Sequence, residues 1–135
     1  MESVGVRKLV PLLGIRDMTA SLAFYRDGLG FELGPTWVVE GRIRWCWLEL
    51  GGAAIMLQEY LPDFQPKETL GTGVGLNFMC DDALAFYKEA RRRGITTKRP
   101  FVGNRMWVTS LRDPDGYDLH FESPTDAPEE SEYQD

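Results

Sequence analysis

The sequence contains very little of what metal centres, disulfides and membrane spans require. Among 135 residues there are one histidine and two cysteines. Cys46 and Cys80 show no metal-ligand spacing and lie in apolar runs, where a buried thiol behaves as a small hydrophobic group. No run of eighteen apolar residues occurs, which argues against a membrane-spanning helix. We therefore expect two free thiols and no membrane partner.

The N-terminal and C-terminal segments indicate location and charge. Residues 1–8 lack the pattern of a secretory signal peptide, so we predict a cytoplasmic protein.

The net charge is −6, but five carboxylates lie in the last twelve residues, and the rest of the chain carries only −1. A nearly neutral domain gives no electrostatic reason to bind nucleic acid. The acidic tail, 124–135, is too polar to fold alone, so we predict that it is flexible or lies over the domain.

An internal repeat predicts the architecture. Ser21-Leu22-Ala23-Phe24-Tyr25 returns 62 residues later as Ala83-Leu84-Ala85-Phe86-Tyr87. Each copy follows an aspartate that can cap a helix, Asp17 or Asp82. An apolar strand precedes each copy and three strand candidates follow it, so the unit is βαβββ, present twice. We predict one α+β domain over residues 1–123, with repeat units at about 1–66 and 67–123.

The apolar periodicity predicts the elements of both units. The two helices are expected at about 18–29 and 82–93. The strands are expected at 9–15, 36–39, 44–50 and 53–59 in the first unit, and at 74–80, 97–102, 106–112 and 117–122 in the second.

The turn Gly51-Gly52 predicts which side chains share a face in the first unit. A two-residue turn places Trp45 opposite Gln58 and Trp47 opposite Met56. Because side chains alternate along a strand, these four lie together, and aliphatic residues lie on the other side, beneath a helix.

The same pattern, moved forward by 62 residues, predicts the corresponding face of the second unit. It contains Trp107, Thr109, Asp118 and His120. A face that is both aromatic and polar is typical of a concave ligand pocket. The alternative is that the tryptophans fill the space between the half-sheets and the polar groups bind one another.

Three features together resemble the vicinal oxygen chelate superfamily, which comprises the glyoxalase, bleomycin-resistance and extradiol-dioxygenase group. They are the segment 15–31 (IRDMTASLAFYRDGLGF), the turn Arg112-Asp113-Pro114-Asp115-Gly116, and the internal duplication. The resemblance covers nearly the whole chain except the tail. It implies two tandem βαβββ modules that form a curved mixed sheet around a cleft, and it is not specific for a reaction.

The resemblance also implies where a metal would bind. Metal-dependent members use four ligands from the cleft-facing strands, and the matching positions here are Val10 or Pro11, Gly75, Gln58 and His120. Only His120 is a good ligand, whereas a divalent metal usually needs three or more. We therefore predict no metal and no cofactor. The alternative is an unusual site in which Asp118, His120 and Glu122 recruit Gln58.

Without a metal, the chain resembles the members that bind and sequester a drug in an aromatic cleft, commonly at a two-fold dimer interface. We predict metal-independent binding of a small, partly aromatic molecule by a homodimer. The predicted ligand-binding residues are Trp45, Trp47, Met56, Gln58, Asn77, Trp107 and Thr109.

Two other functions remain as alternatives. One is a lyase or dioxygenase in which His120 is a general base, oriented by Asp118 or Glu122. The other is an interaction or sensor module whose acidic tail docks on a partner or covers the cleft.

Overall fold

The computed structural model describes all residues from 1 to 135. The first module contains β1 (Leu12–Ile15), α1 (Met18–Leu22), β2 (Glu32–Val39), β3 (Arg42–Leu50) and β4 (Ala53–Glu59), followed by a short 3-10 turn at Pro62–Phe64. The second contains β5 (Gly75–Met79), α2 (Ala83–Arg92), β6 (Phe101–Gly103), β7 (Met106–Arg112) and β8 (Asp118–Pro124). The predicted βαβββ unit, present twice, is confirmed.

The two modules form two four-stranded mixed sheets with equivalent strand orders. The first sheet has the order β1-β4-β3-β2 and the second β5-β8-β7-β6. In each sheet the first strand of the module is parallel to the last, and the other neighbours are antiparallel. This is the predicted α+β fold. Neither α1 nor α2 has the length and apolar character needed to cross a bilayer.

The first helix differs in form from the single helix predicted over 18–29. It is α-helical to Leu22 and continues as a π-helical segment, Ala23–Gly28. The backbone N–H of Leu29 donates to the carbonyl of Phe24, five residues earlier, at 2.9 Å. Apolar spacing over so few turns does not distinguish a π-turn from an α-turn, so the sequence analysis missed it.

The helix-facing sides of both sheets share one hydrophobic core. A single cluster combines Ile15 and Leu57 of the first module with Leu119 of the second. Phe31 and Phe78 meet edge to face across the two modules, with ring centroids 6.0 Å apart. The opposite faces of the two sheets therefore lie outside this core and are available for other contacts.

The turn between β7 and β8 ties the modules together. The Tyr25 hydroxyl donates to the Asp113 carboxylate at 2.7 Å, and the Tyr117 hydroxyl donates to the carbonyl of Gly14 at 2.8 Å. Burial raises the pKa of Asp113, although hydrogen bonds from Tyr25 and from backbone N–H groups oppose the shift. Burial, with the neighbouring Asp113 carboxylate, also raises the pKa of Tyr25. The Asp-Pro-Asp-Gly motif is thus a structural link between the modules.

The acidic tail lies along the outer edge of the second sheet. Glu132 forms an antiparallel bridge with Phe101 of β6. The backbone N–H of Val102 donates to the carbonyl of Ser131 at 2.8 Å. The tail is therefore laid over the domain, along the edge of β6.

Candidate functional site

The first sheet carries tryptophans on its side away from the core. Trp45 lies opposite Gln58, and Trp47 lies opposite Met56. The intervening Cys46 and Leu48 are fully buried on the other side. The register predicted from the two-residue turn is therefore confirmed.

A third tryptophan, which the sequence analysis missed, extends this surface. Trp37 of β2 pairs directly with Trp45 and is 55% exposed. The register of β2 shifts between Leu33 and Thr36 and again just after Trp37. These irregularities interrupt simple alternation, so the sequence contains no reliable signal for the direction of Trp37. We call the surface formed by Trp37, Trp45 and Trp47 the tryptophan face.

Charged groups lie at one end of the tryptophan face. Glu32 and Glu49 are directly opposite each other on neighbouring strands. The indole N–H of Trp47 donates to the Glu49 carboxylate at 2.9 Å, and the Lys8 ammonium lies 5.3 Å from the Trp47 ring centroid. An electron-rich ring beside two carboxylates is an environment that attracts cations.

The single histidine lies on the side of the second sheet away from the core, which we call the histidine face. Ser110 Oγ is 2.7 Å from Nδ1 of His120. A Cβ atom added to Gly75 would be 3.4 Å from Nε2 of the same ring. Because Gly75 has no side chain, that residue does not cover Nε2, while Nδ1 is hydrogen-bonded to Ser110.

The two carboxylates predicted to orient His120 have other partners. Arg112 donates to Asp118 at 2.8 Å, and Asn77 donates to Glu122 at 3.3 Å. The expectation that Asp118 or Glu122 orients His120 is therefore wrong, because Nδ1 of His120 shares its hydrogen bond with the Ser110 hydroxyl.

The prediction that Trp107 and Thr109 share a face with His120 is also wrong. Trp107 pairs with Ser123 and Thr109 with Phe121, on the core side. Thr109 is fully buried, and its hydroxyl donates to the carbonyl of Ala83 at 2.8 Å. The turn joining β7 and β8 is three residues longer than the turn joining β3 and β4. The 62-residue offset thus predicts the correct side of the sheet for His120 but the wrong side for Trp107 and Thr109.

The residues present do not fit the four-ligand metal site that the resemblance implies. Gly75 has no donor, and Val10 lies outside β1. No group of three or more histidine, cysteine, aspartate or glutamate side chains is arranged to hold a metal ion. The unusual cluster around Asp118, His120 and Glu122 is therefore not formed.

Two concavities lie near the predicted site residues. The larger, about 940 Å³, is lined by the whole of β5 and by apolar residues of both modules, and of the predicted ligand-binding residues it contains only Asn77. The smaller, about 520 Å³, is lined by Trp47, Pro35, Glu32 and Glu49 at the end of the tryptophan face. Trp47 and the two glutamates are thus at the smaller concavity. The larger one has its own aromatic and charged lining, with Phe78, Phe86, Phe121, Asp81, Glu89 and Arg93.

The chain has the fold of several solved proteins. TnmS3, an antibiotic binding protein from Streptomyces sp. CB03234, is 23% identical, with a TM-score of 0.67 over 88% of this chain and 98% of that one. A bleomycin-binding protein complexed with bleomycin is 22% identical, with a TM-score of 0.69 over 89% and 100% of the two chains. An integron cassette protein from V. cholerae is 25% identical, with a TM-score of 0.63 over 89% and 97%.

Sequence comparison leads to the same group. No curated protein sequence matches the chain. Residues 9–121 match the family described as the Glyoxalase/Bleomycin resistance protein/Dioxygenase superfamily. Since this match includes strands of both sheets and both helices, the chain belongs to the glyoxalase/bleomycin resistance protein/dioxygenase superfamily.

Proposed function

We propose that this protein binds a small, flat, partly aromatic molecule on its tryptophan face and does so without a metal ion. The observation that carries the proposal is the alignment of Trp37, Trp45 and Trp47 on one sheet face outside the core. Large aromatic rings left partly exposed in one patch are typical of interaction sites. They provide stacking surface at little cost in side-chain entropy.

The antibiotic-binding relatives support this choice of ligand class. Proteins of the same fold include one described as antibiotic binding and one solved with bleomycin. Glu32 and Glu49 add a preference for a ligand with a positively charged group near its aromatic part. The residues at the four expected metal-ligand positions, described above, also favour binding over metal-dependent chemistry.

The proposed binding cleft is completed by a second copy of the chain. Within one chain the tryptophan face and the histidine face belong to separate sheets with one core between their inner sides. The strands β1 and β5 each pair on one side only. Pairing of β1 with β5 of a second copy would place the tryptophan face of one chain beside the histidine face of the other. We therefore propose a homodimer with two equivalent clefts.

The test compares two tryptophans on opposite sides of their sheets. We expect Trp45→Ala to weaken binding of bleomycin, or of another flat aromatic probe found by titration, by roughly tenfold, because stacking contributes about 1 kcal/mol beyond the buried area. Isothermal titration calorimetry measures the affinity. Trp107→Ala is the matched control: it removes an indole from the core side, so it lowers thermal stability and leaves affinity unchanged. Equal affinity of the Trp45→Ala and parent proteins would reject the tryptophan face as the site.

A second candidate function has one specific observation in its favour. His120 has Nδ1 hydrogen-bonded to Ser110 and Nε2 not covered by Gly75, the arrangement of a positioned general base. Under this hypothesis, turnover of a small carbonyl substrate falls a hundredfold or more in His120→Ala, and metal analysis of the purified protein distinguishes a metal-dependent reaction from a metal-free one. Retention of close to one metal per chain would contradict our proposal.

A further inference from the structure

Four strand edges border the two sheets, and they differ in how each is protected from pairing with another chain. The outer edges are those of β2 and β1 in the first sheet and of β6 and β5 in the second. Exposed edges can pair with another chain unless something interrupts or covers them. β2 contains Pro35 and two register shifts, which are known means of interrupting an edge. The β6 edge is short and regular, and it is covered by the C-terminal tail instead.

The C-terminal tail pairs with β6 through its backbone. The N–H of Val102 donates to the carbonyl of Ser131 at 2.8 Å, and the N–H of Glu130 donates to the carbonyl of Val102 at 2.9 Å. The N–H of Tyr133 donates to the carbonyl of Pro100 at 2.9 Å. These bonds use the outward-facing backbone groups of Val102 in β6 and of Pro100 just before it, which would otherwise be open to a neighbouring chain.

Side chains anchor both ends of the paired tail segment. At its start, the Glu129 carboxylate accepts hydrogen bonds from the backbone N–H groups of Asn104 and Arg105, at 3.0 and 2.6 Å. At its end, the Tyr133 ring packs edge to face against Tyr87 and Trp107, with centroids 5.8 and 6.1 Å away. The segment between the anchors is therefore held against the strand edge.

We propose that residues 125–135 act as an edge guard, an intramolecular strand that prevents β6 from pairing with β6 of a second copy of this chain. The exposed Phe101, 43% accessible at this edge, adds apolar surface to the pairing that the guard prevents. With β2 interrupted and β6 guarded, β1 and β5 are the edges left open for association. This proposal concerns the tail and does not depend on the ligand-binding proposal.

The test removes the guard and then blocks the exposed edge. A chain that ends at Pro124 is expected to form assemblies larger than the full-length protein, with a mass that rises with concentration in light scattering after size exclusion. Adding Phe101→Lys to the shortened chain is expected to restore the size of the full-length protein, because a lysine on a strand edge disfavours pairing.

The effect of Phe101→Lys on the shortened chain distinguishes edge pairing from a general effect of net charge. The shortened chain has a net charge of −1, and Phe101→Lys brings it to about zero, which by itself promotes association. Loss of the large assemblies thus supports the guard. Association that persists with Phe101→Lys, or a folded shortened chain of unchanged size at every concentration, overturns the proposal.

A point variant keeps the test decisive if the shortened chain does not fold. Tyr133→Pro removes both the ring anchor and the N–H that binds Pro100 in an otherwise complete chain. Gln134→Pro is the matched control, since the neighbouring residue makes no backbone hydrogen bond to β6. We expect Tyr133→Pro to associate more than Gln134→Pro. Equal sizes of the two variants reject the guard.

Discussion

Glu59 is a buried carboxylate held by two arginines. It is 4% exposed and accepts hydrogen bonds from Arg42 at 2.8 and 2.9 Å, from Arg44 at 2.6 Å and from the backbone N–H of Met18 at 2.7 Å. The hydrogen bonds from Arg42 are the largest cause that lowers the pKa of Glu59, although burial opposes them. The side chain thus joins β3, β4 and the start of α1.

This lowered pKa predicts how stability depends on pH. A carboxyl whose pKa is lower in the folded state stabilises the fold above its ordinary pKa, and this stabilisation is lost as the pH falls through the lowered value. We expect Glu59→Gln to reduce the free energy of unfolding near pH 7. The difference from the parent protein should shrink as the pH falls below about 4.5, the ordinary value.

Urea unfolding between pH 7 and pH 3 measures this difference. The buried Asp113 has a raised pKa, so it favours folding at the acid end of the range, but it is present in both proteins and cancels in the difference. Glu68→Gln, at an exposed carboxylate, is the control and should have little effect. A Glu59→Gln effect that stays constant over the whole pH range contradicts the assignment.

At the scale of elements, helix α2 tests how much a local capping residue contributes to the stability of the fold. Asp82 has extended backbone angles, and its carboxylate accepts a hydrogen bond from the N–H of Ala85 at 3.0 Å. We expect Asp82→Ala to lower the free energy of unfolding by about 1 kcal/mol, the usual contribution of such a cap. Chemical denaturation measures it. Asp81→Ala, one residue earlier and exposed, is the matched control, and equal losses in the two variants would exclude capping as the cause.

Strand β6 illustrates an element whose extent depends on its neighbours. The sequence predicts a strand over 97–102, but β6 spans only Phe101–Gly103. Before β6, the backbone N–H of Lys98 donates to the carbonyl of Ser110 in β7 at 2.9 Å, but residues 97–100 form no regular ladder. Further along, β6 and β7 are joined by Asn104 and Arg105, both with positive φ, of 51° and 63°. This turn carries no glycine, so the usual hairpin signal was absent from the sequence.

At the scale of the whole molecule, the open edges predict the oligomeric state. Leu12 on β1 is 55% exposed and Met79 on β5 is 62% exposed. Under the proposed pairing of β1 with β5 of a second copy, these apolar side chains lie at the interface. We expect the full-length protein to sediment with the mass of two chains, and Met79→Lys to dissociate it at concentrations where the parent protein is dimeric.

A lysine on another edge provides the control for this prediction. Val38 on β2 is 51% exposed, so Val38→Lys adds the same charge at a similarly exposed position on an interrupted edge. This variant should remain dimeric. A parent protein that sediments as one chain at high micromolar concentration contradicts the homodimer, and a monomeric Val38→Lys places the interface elsewhere.

Local sequence was sufficient for much of this protein. Both helix caps and the register of β3 with β4 follow from patterns a few residues long, because capping, side-chain alternation and a two-residue turn are short-range effects. The duplicated βαβββ unit follows from the internal repeat of the sequence. For the same reason Trp45, Trp47, Met56 and Gln58 were correctly placed on one face.

Only the tertiary structure decided the remaining features. The longer turn before β8 changed the pairing partner of Trp107 and moved it to the core side, and the register shifts in β2 brought Trp37 onto the tryptophan face. Ser110, and not a carboxylate, binds His120, and the tail lies on β6. Each of these depends on which distant strand lies alongside, and such pairing is set by the packing of the whole core, not by the residues next to it in sequence.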